Sequence, residues 1–183
     1  MTEFICSDFH FDHWNVTKFC PETRPFQTKD EMNDYLIKHW NQTVEPQDTV
    51  YYLGDFCFSG NKRCEYFLSQ LNGKIHMIMG NHDFHNKNVF EKYCETVTCY
   101  MTFKRNKTRV VLCHFPITYW HSMENGAIHA FGHTHGDFHP EGRCMDVGFD
   151  NTRKILNLND EFIPMMLERP INQRRELKDG STN

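Results

Sequence analysis

Five short polar groups carry residue types that could do chemistry: Asp8-Phe9-His10, Gly54-Asp55, Gly80-Asn81-His82-Asp83, His114 and Gly132-His133-Thr134-His135. Imidazole suits Zn, Fe and Ni, while carboxylate and amide oxygens suit Mn and Mg. The candidate ligands Asp8, His10, Asp55, Asn81, His114, His133 and His135 exceed what one four-coordinate site uses. They fit two metals with a shared carboxylate. Such a pair sits about 3.5–4 Å apart and clamps both oxygens of an in-line phosphoryl displacement. A mononuclear structural zinc site fits poorly, because those sites favour cysteine and no cysteine lies inside a group, although Cys113 adjoins one. The spacing of Asp8/His10 and of His133/His135 predicts both side chains on one side of an extended segment.

Each group directly follows an apolar run, at residues 4–6, 50–53, 75–79, 110–113 and 128–131. In open α/β sheets, ligands bind beyond the carboxyl ends of the strands. The five groups are therefore expected to converge on one sheet edge. Strands are expected at 2–6, 49–53, 74–79, 96–103, 109–113, 127–131 and 144–147, with a turn at 104–107. Thr28 and Glu31 form a capping box, after which Met32, Tyr35, Leu36 and Trp40 fall on one helical face. Cys64, Phe67, Leu68 and Leu71 repeat that spacing until Gly73 stops the helix. Residues 86–92 predict a short helix, and 8–25 a loop. Helices alternating with strands, then paired strands, predict an α/β domain with a mixed sheet or two packed sheets. Its bounds are taken as residues 1–170, with a polar C-terminal tail at 171–183.

The 183 residues can bury the core of one domain. A hydrophobic fraction of 39% and a charged fraction of 24% are ordinary for a soluble protein. The net charge of -4 gives no footprint for long nucleic acid. No run is long enough for a membrane span. The first residues lack the basic start and apolar stretch of a signal peptide, so a cytoplasmic location is expected. The eight cysteines, none in a C-x-x-C pair, then read as free thiols.

In this order the five groups resemble the calcineurin-like metallophosphoesterase superfamily, which runs Asp-x-His, Gly-Asp, Gly-Asn-His-Asp/Glu, His and Gly-His-x-His. Small bacterial and phage-type members are the most similar. Their opening is matched by residues 7–15 (Ser-Asp-Phe-His-Phe-Asp-His-Trp-Asn), and their Leu-Asn-Gly-Lys by 71–74. Their His-aromatic-Pro-Ile followed by Trp is matched by 114–117 and Trp120. The resemblance implies a four-layer α-β-β-α sandwich of two packed mixed sheets flanked by helices. It implies two divalent ions, Mn first, with Fe, Zn, Ni or Mg also accommodated. Asp8, His10 and His135 would hold one ion, Asn81, His114 and His133 the other, and Asp55 would bridge them. A metal-bridging hydroxide would attack phosphorus, and His82 would assist the leaving group. One departure is Phe58, which stands where the protein-phosphatase branch has an Asp that orients the catalytic His. His82 then lacks a carboxylate partner or uses Asp83 or Asp12.

Further candidates for substrate contact are His13, Asn15, Arg24 and Trp120, the last within an aromatic wall with Phe115 and Tyr119. Arg143 is a candidate phosphate contact, and His129 reads as a satisfied, half-buried histidine. No insertion is large enough to cap the site. An open cleft favours a small phosphodiester, cyclic or nucleotide-like, over a monoester. A nuclease on the same site and a non-catalytic scaffold on the same fold are the alternatives. The full ligand set argues against the scaffold.

Overall fold

The apolar runs become two sheets packed face to face. The computed structural model describes residues 1–173. Among these, β1 (Glu3–Cys6), β2 (Thr49–Tyr52), β3 (Lys74–Ile78) and β4 (Thr96–Thr98) run parallel, and β9 (Leu156–Asn157) pairs antiparallel with β1. Their order is β4-β3-β2-β1-β9. The second sheet has the order β5 (Tyr100–Arg105), β6 (Thr108–Cys113), β7 (Ile128–Phe131), β8 (Cys144–Asp146). Only β5 is antiparallel there.

The central strands are buried on both faces, which is why they read as continuous apolar runs rather than alternating ones. Ile5, Tyr51, Leu53 and Ile78 of the first sheet meet Val110, Leu112, Ile128 and Ala130 of the second in one core. The opposite face of the first sheet (Phe4, Cys6, Val50, Tyr52, Met77) packs on three helices. These are α2 (Lys29–Thr43) through Met32, Leu36 and Trp40, α3 (Asn61–Gln70) through Cys64, Phe67 and Leu68, and α4 (Lys87–Tyr93) through Val89 and Phe90. The outer face of the second sheet (Val111, Phe131) is covered by Trp120 and by Met123, on a short 3-10 turn. A π-helical turn at Leu158–Phe162 leads into α6 (Ile163–Leu167), which closes the inter-sheet core.

The single strand expected at 96–103 is two strands in different sheets. β4 belongs to the first sheet, β5 to the second, and Cys99 lies between them. Thr98 Oγ1 donates to the Tyr100 carbonyl at this crossing. An alternating pattern runs through such a crossing unbroken, so the sequence did not mark it. The loop expected at 8–25 contains the one-turn helix α1 (Val16–Phe19). Thr28 caps α2 as expected, accepting the Glu31 N–H at 3.1 Å, but Glu31 accepts from Gln27 N–H, not from Thr28. The turn after β5 places Asn106 and Lys107 at φ 49° and 70°, the left-handed pair of a tight hairpin. All eight cysteines are free. No helix among the described residues is long and apolar enough to cross a membrane. Of the tail at 171–183, Asn172 bonds the Arg143 N–H and the Glu141 carbonyl, and residues 174–183 lie outside the described residues.

At the amino ends of the strands, Arg105 of β5 donates to Glu3 of β1 at 2.7 Å and to Tyr51 of β2 at 2.9 Å. This clasp joins the two sheets. Arg105, opposed by burial and helped by Asn159 and Tyr51, holds the Glu3 carboxyl down at about 2, from 4.5. A depressed carboxyl stabilises the fold above its unfolded value and loses that contribution as pH falls through the folded one. Glu3→Gln is therefore expected to lower the melting temperature at pH 7. The difference from the parent should shrink as pH falls from 4.5 towards 2. Thermal melts across that range check it, and a pH-independent difference would contradict it.

Candidate metal centre

The five groups leave five parallel strands on one side of the molecule. Asp8 follows β1, Asp55 follows β2, Asn81 and His82 follow β3, His114 ends β6, and His133 and His135 follow β7. The two sheets touch here through polar groups. His114 Nδ1 lies 2.6 Å from the Leu53 carbonyl, and His133 N–H reaches Asp8 Oδ2 at 3.0 Å.

The segments carrying the ligands are not extended, contrary to the expectation from spacing. Asp8, His10, Asp55, His133 and His135 have φ of 60°, 53°, 54°, 70° and 49°. The left-handed region is uncommon outside glycine, though Asp and His visit it more than most. Each such residue costs about 1–3 kcal/mol and persists only where its surroundings impose it. The sharp turns bring each side chain back over the strand end. They also bring backbone against backbone. A Cβ on Gly54 would overlap the Gly80 backbone, and one on Gly132 would overlap Ser7 and Asp8.

Two carboxylates that the sequence did not single out for it impose this geometry. Asp83 accepts the backbone N–H groups of Asp55, Phe56 and Gly80 at 2.7, 2.9 and 2.8 Å. It clamps the turns after β2 and β3 together and is not bonded to the His82 side chain. Asp12, the other expected partner of His82, instead bonds Arg63, Ser59 and Asn33. The place near His82 is taken by Phe58, whose ring centroid is 4.5 Å from the His82 ring and 3.8 Å from that of His13. The second carboxylate is Asp150, buried on α5 (Phe149–Thr152). It accepts from Arg24 Nε and Nη2 at 2.8 and 2.9 Å and contacts His135 Nδ1 at 2.7 Å. Asp150 is the member of the site that the sequence reading missed. It lies shortly beyond β8, so extending the strand-end rule to that strand would have found it.

Arg24 was expected to contact substrate phosphate, but it does not face solvent. Its side chain is 1% exposed. Besides Asp150, it donates to the carbonyls of Phe9 at 2.8 Å and Asp8 at 2.6 Å. Its remaining N–H points at Met32 Sδ. Every donor is used inside the protein, in holding the left-handed turn of Asp8–His10.

The donor atoms left over fit metal ions. Asp8, His10 and His135 present ligand atoms within 4.8 Å of one another, and so do Asp55, His114 and His133. Both ring nitrogens of His10 are buried and lack a hydrogen-bond partner. His10 Nε2 lies 3.6 Å from Asp8 Oδ1 and 3.7 Å from Asp55 Oδ2. A buried imidazole nitrogen without a partner is costly, and a cation between it and two carboxylates removes that cost. With its Nδ1–H on Leu53, His114 Nε2 offers a lone pair to a point shared with Asn81 Oδ1 at 3.2 Å and Asp55 Oδ2 at 3.4 Å. Asp55 Oδ2 thus borders both triads. His135 likewise engages Nδ1 with Asp150, leaving Nε2 free, the outer-shell arrangement that fixes a metal-binding tautomer.

Without metal, protons compete for these atoms. Burial opposes charge on His114, but the Asp55 and Asp8 carboxylates and the Leu53 carbonyl outweigh it and lift the imidazole to about 9. Burial also opposes charge on Asp55, yet His114 and His10 hold its carboxyl well below the usual range. Burial, with His10 and His82 beside it, brings His13 down to about 4, so it is neutral at pH 7. Cys20 Sγ sits 3.7 Å from His135 Nδ1, but burial and the neighbouring Asp150 push its thiol up to about 11. Without a metal it is therefore a thiol at neutral pH, although Cys20, His135 and Asp150 also bring ligand atoms within 4.8 Å of one another.

The site opens into a cleft of about 720 Å³, lined at one end by His10, Asp55, His82, His133 and His135. His13 lines it as well. Asn15 is exposed beside α1 and does not. Trp120 is not at the cleft either. It is buried, donates Nε1–H to the Ala127 carbonyl, and packs on Val111 and Met123. Of the expected aromatic wall only Phe115 stands at the site, 4.8 Å from the His133 ring, while Tyr119 lines a cavity on the outer face of the second sheet. Arg143 is turned inward onto the carbonyls of Gly126, Leu167 and Arg169. His129 is satisfied by the Val111 carbonyl and the Ile117 N–H.

Two packed sheets carrying paired carboxylate and imidazole triads at their strand ends define a metal-dependent phosphoesterase. The family profile of calcineurin-like phosphoesterases matches residues 1–160, and the chain belongs to that family. It is similar to an uncharacterised protein of Methanocaldococcus jannaschii, 37% identical over 163 residues, covering 87% of this chain and 82% of that one. It is also similar to the gene 66 protein of Mycobacterium phage L5, 26% identical with coverages of 87% and 91%. A solved protein of unknown function from Aquifex aeolicus shares the fold at a TM-score of 0.68, with 23% identity and coverages of 87% and 96%.

Two outcomes follow from the buried network. Arg24→Met leaves Asp150 buried without its guanidinium partner, held only by His135 and Thr23, and is expected to cost about 3–5 kcal/mol in a urea titration. A loss within 0.5 kcal/mol or so, the range of ordinary surface substitutions, would contradict the role given to Arg24. Because metal must displace the proton on His114, affinity for Mn²⁺ should weaken as pH falls below about 9. Calorimetry at pH 7 in buffers of different ionisation enthalpy should register released protons. Uptake or no exchange would contradict it.

Proposed function

We propose that the chain is a dinuclear phosphodiesterase acting on small diesters. Asp8, His10 and His135 hold one divalent ion, Asn81, His114 and His133 the other, and Asp55 serves both. The observation that carries this reading is the position of Asp55 Oδ2, 3.7 Å from His10 Nε2 and 3.4 Å from His114 Nε2, between two triads with unused lone pairs. Mixed oxygen and nitrogen donors accept several divalent ions, and Mn²⁺ is the first to test. Bound there, a pair of ions lowers the pKa of water and neutralises phosphoryl oxygens.

The protein's own groups do the rest. Asp150 and Leu53 fix the tautomers of His135 and His114, so their Nε2 atoms stay aimed at the centre. His82 is 40% exposed at the mouth, with its Nε2 3.9 Å from Asp55 Oδ2. Its backbone N–H donates to Asp55 Oδ1, which ties its position to the shared carboxylate. From there it protonates a leaving oxygen that departs towards solvent. Contact with Phe58 orients the ring in place of a carboxylate. Among the described residues no inserted segment caps the cleft, and an open site admits a phosphorus that carries two ester groups.

Metal-stripped protein given Mn²⁺ should hydrolyse bis-p-nitrophenyl phosphate faster than p-nitrophenyl phosphate, and Asp55→Asn should abolish both. His82→Ala should lower kcat about 10²-fold or more for a diester with an alkoxide leaving group. The loss should be far smaller for p-nitrophenolate, which departs without a proton. Equal losses on both would remove His82 from the role of acid. No turnover with any divalent ion would sink the hydrolytic reading.

A further inference from the structure

The cleft is also lined by residues that are not candidate metal ligands. They include Val16, Phe19, Cys20, Pro21 and Phe138, with the acidic residues Glu22 and Asp137. Phe19 is 75% exposed and Phe138 is 48% exposed. Among the described residues no lysine or arginine belongs to the lining. Cations near these residues in sequence are accounted for elsewhere. Arg24 is buried on Asp150, Lys29 is held by Asp12, Arg143 is turned onto backbone carbonyls, and Lys18, beside Phe19 in the chain, is exposed outside the cleft.

This inventory sets what can lie beside the reacting phosphate. Two exposed phenylalanines offer faces on which an aromatic ester group can stack, a contact that tolerates any base because each has a π-face. The same lining repels a further anion, since it includes Glu22 and Asp137 and, among the described residues, no cation to offset them. The volume, about 720 Å³, is in the range of sites that enclose a small organic ligand. Building on the phosphodiesterase reading, we infer that the cleft selects diesters whose phosphate is their only anion and whose ester group is an aryl or nucleoside unit. A second phosphate on that unit is rejected. Phe19 and Phe138 supply the attraction, and Glu22 and Asp137 supply the rejection.

Two esters that differ by one phosphate test this: the p-nitrophenyl ester of thymidine 5′-phosphate, and the same compound phosphorylated at the 3′ oxygen. With Mn²⁺ the first is expected to exceed the second in kcat/KM by about tenfold or more, the size of one unfavourable charge contact. In the Glu22→Gln/Asp137→Asn double variant that ratio should fall towards one, which separates charge from bulk. In Phe138→Ala the preference for the thymidine ester over methyl p-nitrophenyl phosphate should fall about tenfold, the worth of one lost stacking contact. Equal or faster turnover of the 3′-phosphorylated ester would overturn the inference while leaving the hydrolytic reading standing. So would a ratio that the double variant does not change. If neither ester is hydrolysed, the hydrolytic reading fails. The inference is then decided by calorimetric affinity of the Mn²⁺-loaded protein for thymidine 5′-phosphate phenyl ester and its 3′-phosphate. Tighter binding of the first supports the inference, and equal binding overturns it.

Discussion

The buried pair of Arg24 and Asp150 is the interaction on which the metal centre depends. A guanidinium presents five donors in a fixed fork, and here the fork is shared between the two carboxylate oxygens of Asp150 and the carbonyls of Asp8 and Phe9. Those carbonyls belong to a turn that the backbone would not adopt unaided, with Asp8 and His10 both left-handed. Burying two charges is expensive unless each is paired and hydrogen-bonded. Arg24 and Asp150 satisfy that condition only in the geometry that also aims Asp8 and His10 at the centre. The same carboxylate then reaches His135 on the other sheet. One ion pair thereby fixes three ligands drawn from two sheets.

Asp83 plays the matching part for the other triad. Its carboxylate collects three backbone N–H groups from the turns after β2 and β3. Burial raises its pKa, and those N–H bonds work against the rise. A group held by three backbone donors is a structural clamp more than a proton carrier. That explains why it does not serve His82, although it is next to it in the chain. His82 instead keeps its ring against Phe58, its backbone N–H on Asp55 Oδ1 and its Nε2 3.9 Å from Asp55 Oδ2.

The sequence shows most of the strands, the helices α2, α3 and α4 and the convergence of the five polar groups, because each rests on a local rule. Apolar runs make buried strands, and polar residues placed directly after them must gather at the strand ends. It does not show the crossing at Cys99, since alternation says nothing about which sheet a strand joins. Nor does it show the conformation of the ligand turns. Spacing alone puts Asp8 and His10 on one side of an extended segment. The left-handed turn is imposed by Arg24 and Asp150, which are distant in sequence. The same limit applies to Arg24 and Trp120. An arginine and a tryptophan near a phosphate site look like substrate contacts until burial is known. Asp150 lies after a strand, as the ligands do, but on a strand whose end holds no histidine to draw attention to it.

Each triad takes members from both sheets, Asp8 and His10 against His135, and Asp55 against His114 and His133. The sheets are clasped at their amino ends by Glu3 and Arg105. The molecule therefore has the form of a caliper, closed at its base, with the candidate ligands at the tips of its jaws. The jaw opening is set by the thickness of the layer between the sheets, built by Ile5, Leu53, Val110 and Ile128. Their side chains offer no donor atom, although the Leu53 carbonyl meets His114 Nδ1. The spacing between the two halves of each candidate triad is thus a matter of core packing, and drift in those apolar side chains would change that spacing without altering a single donor atom.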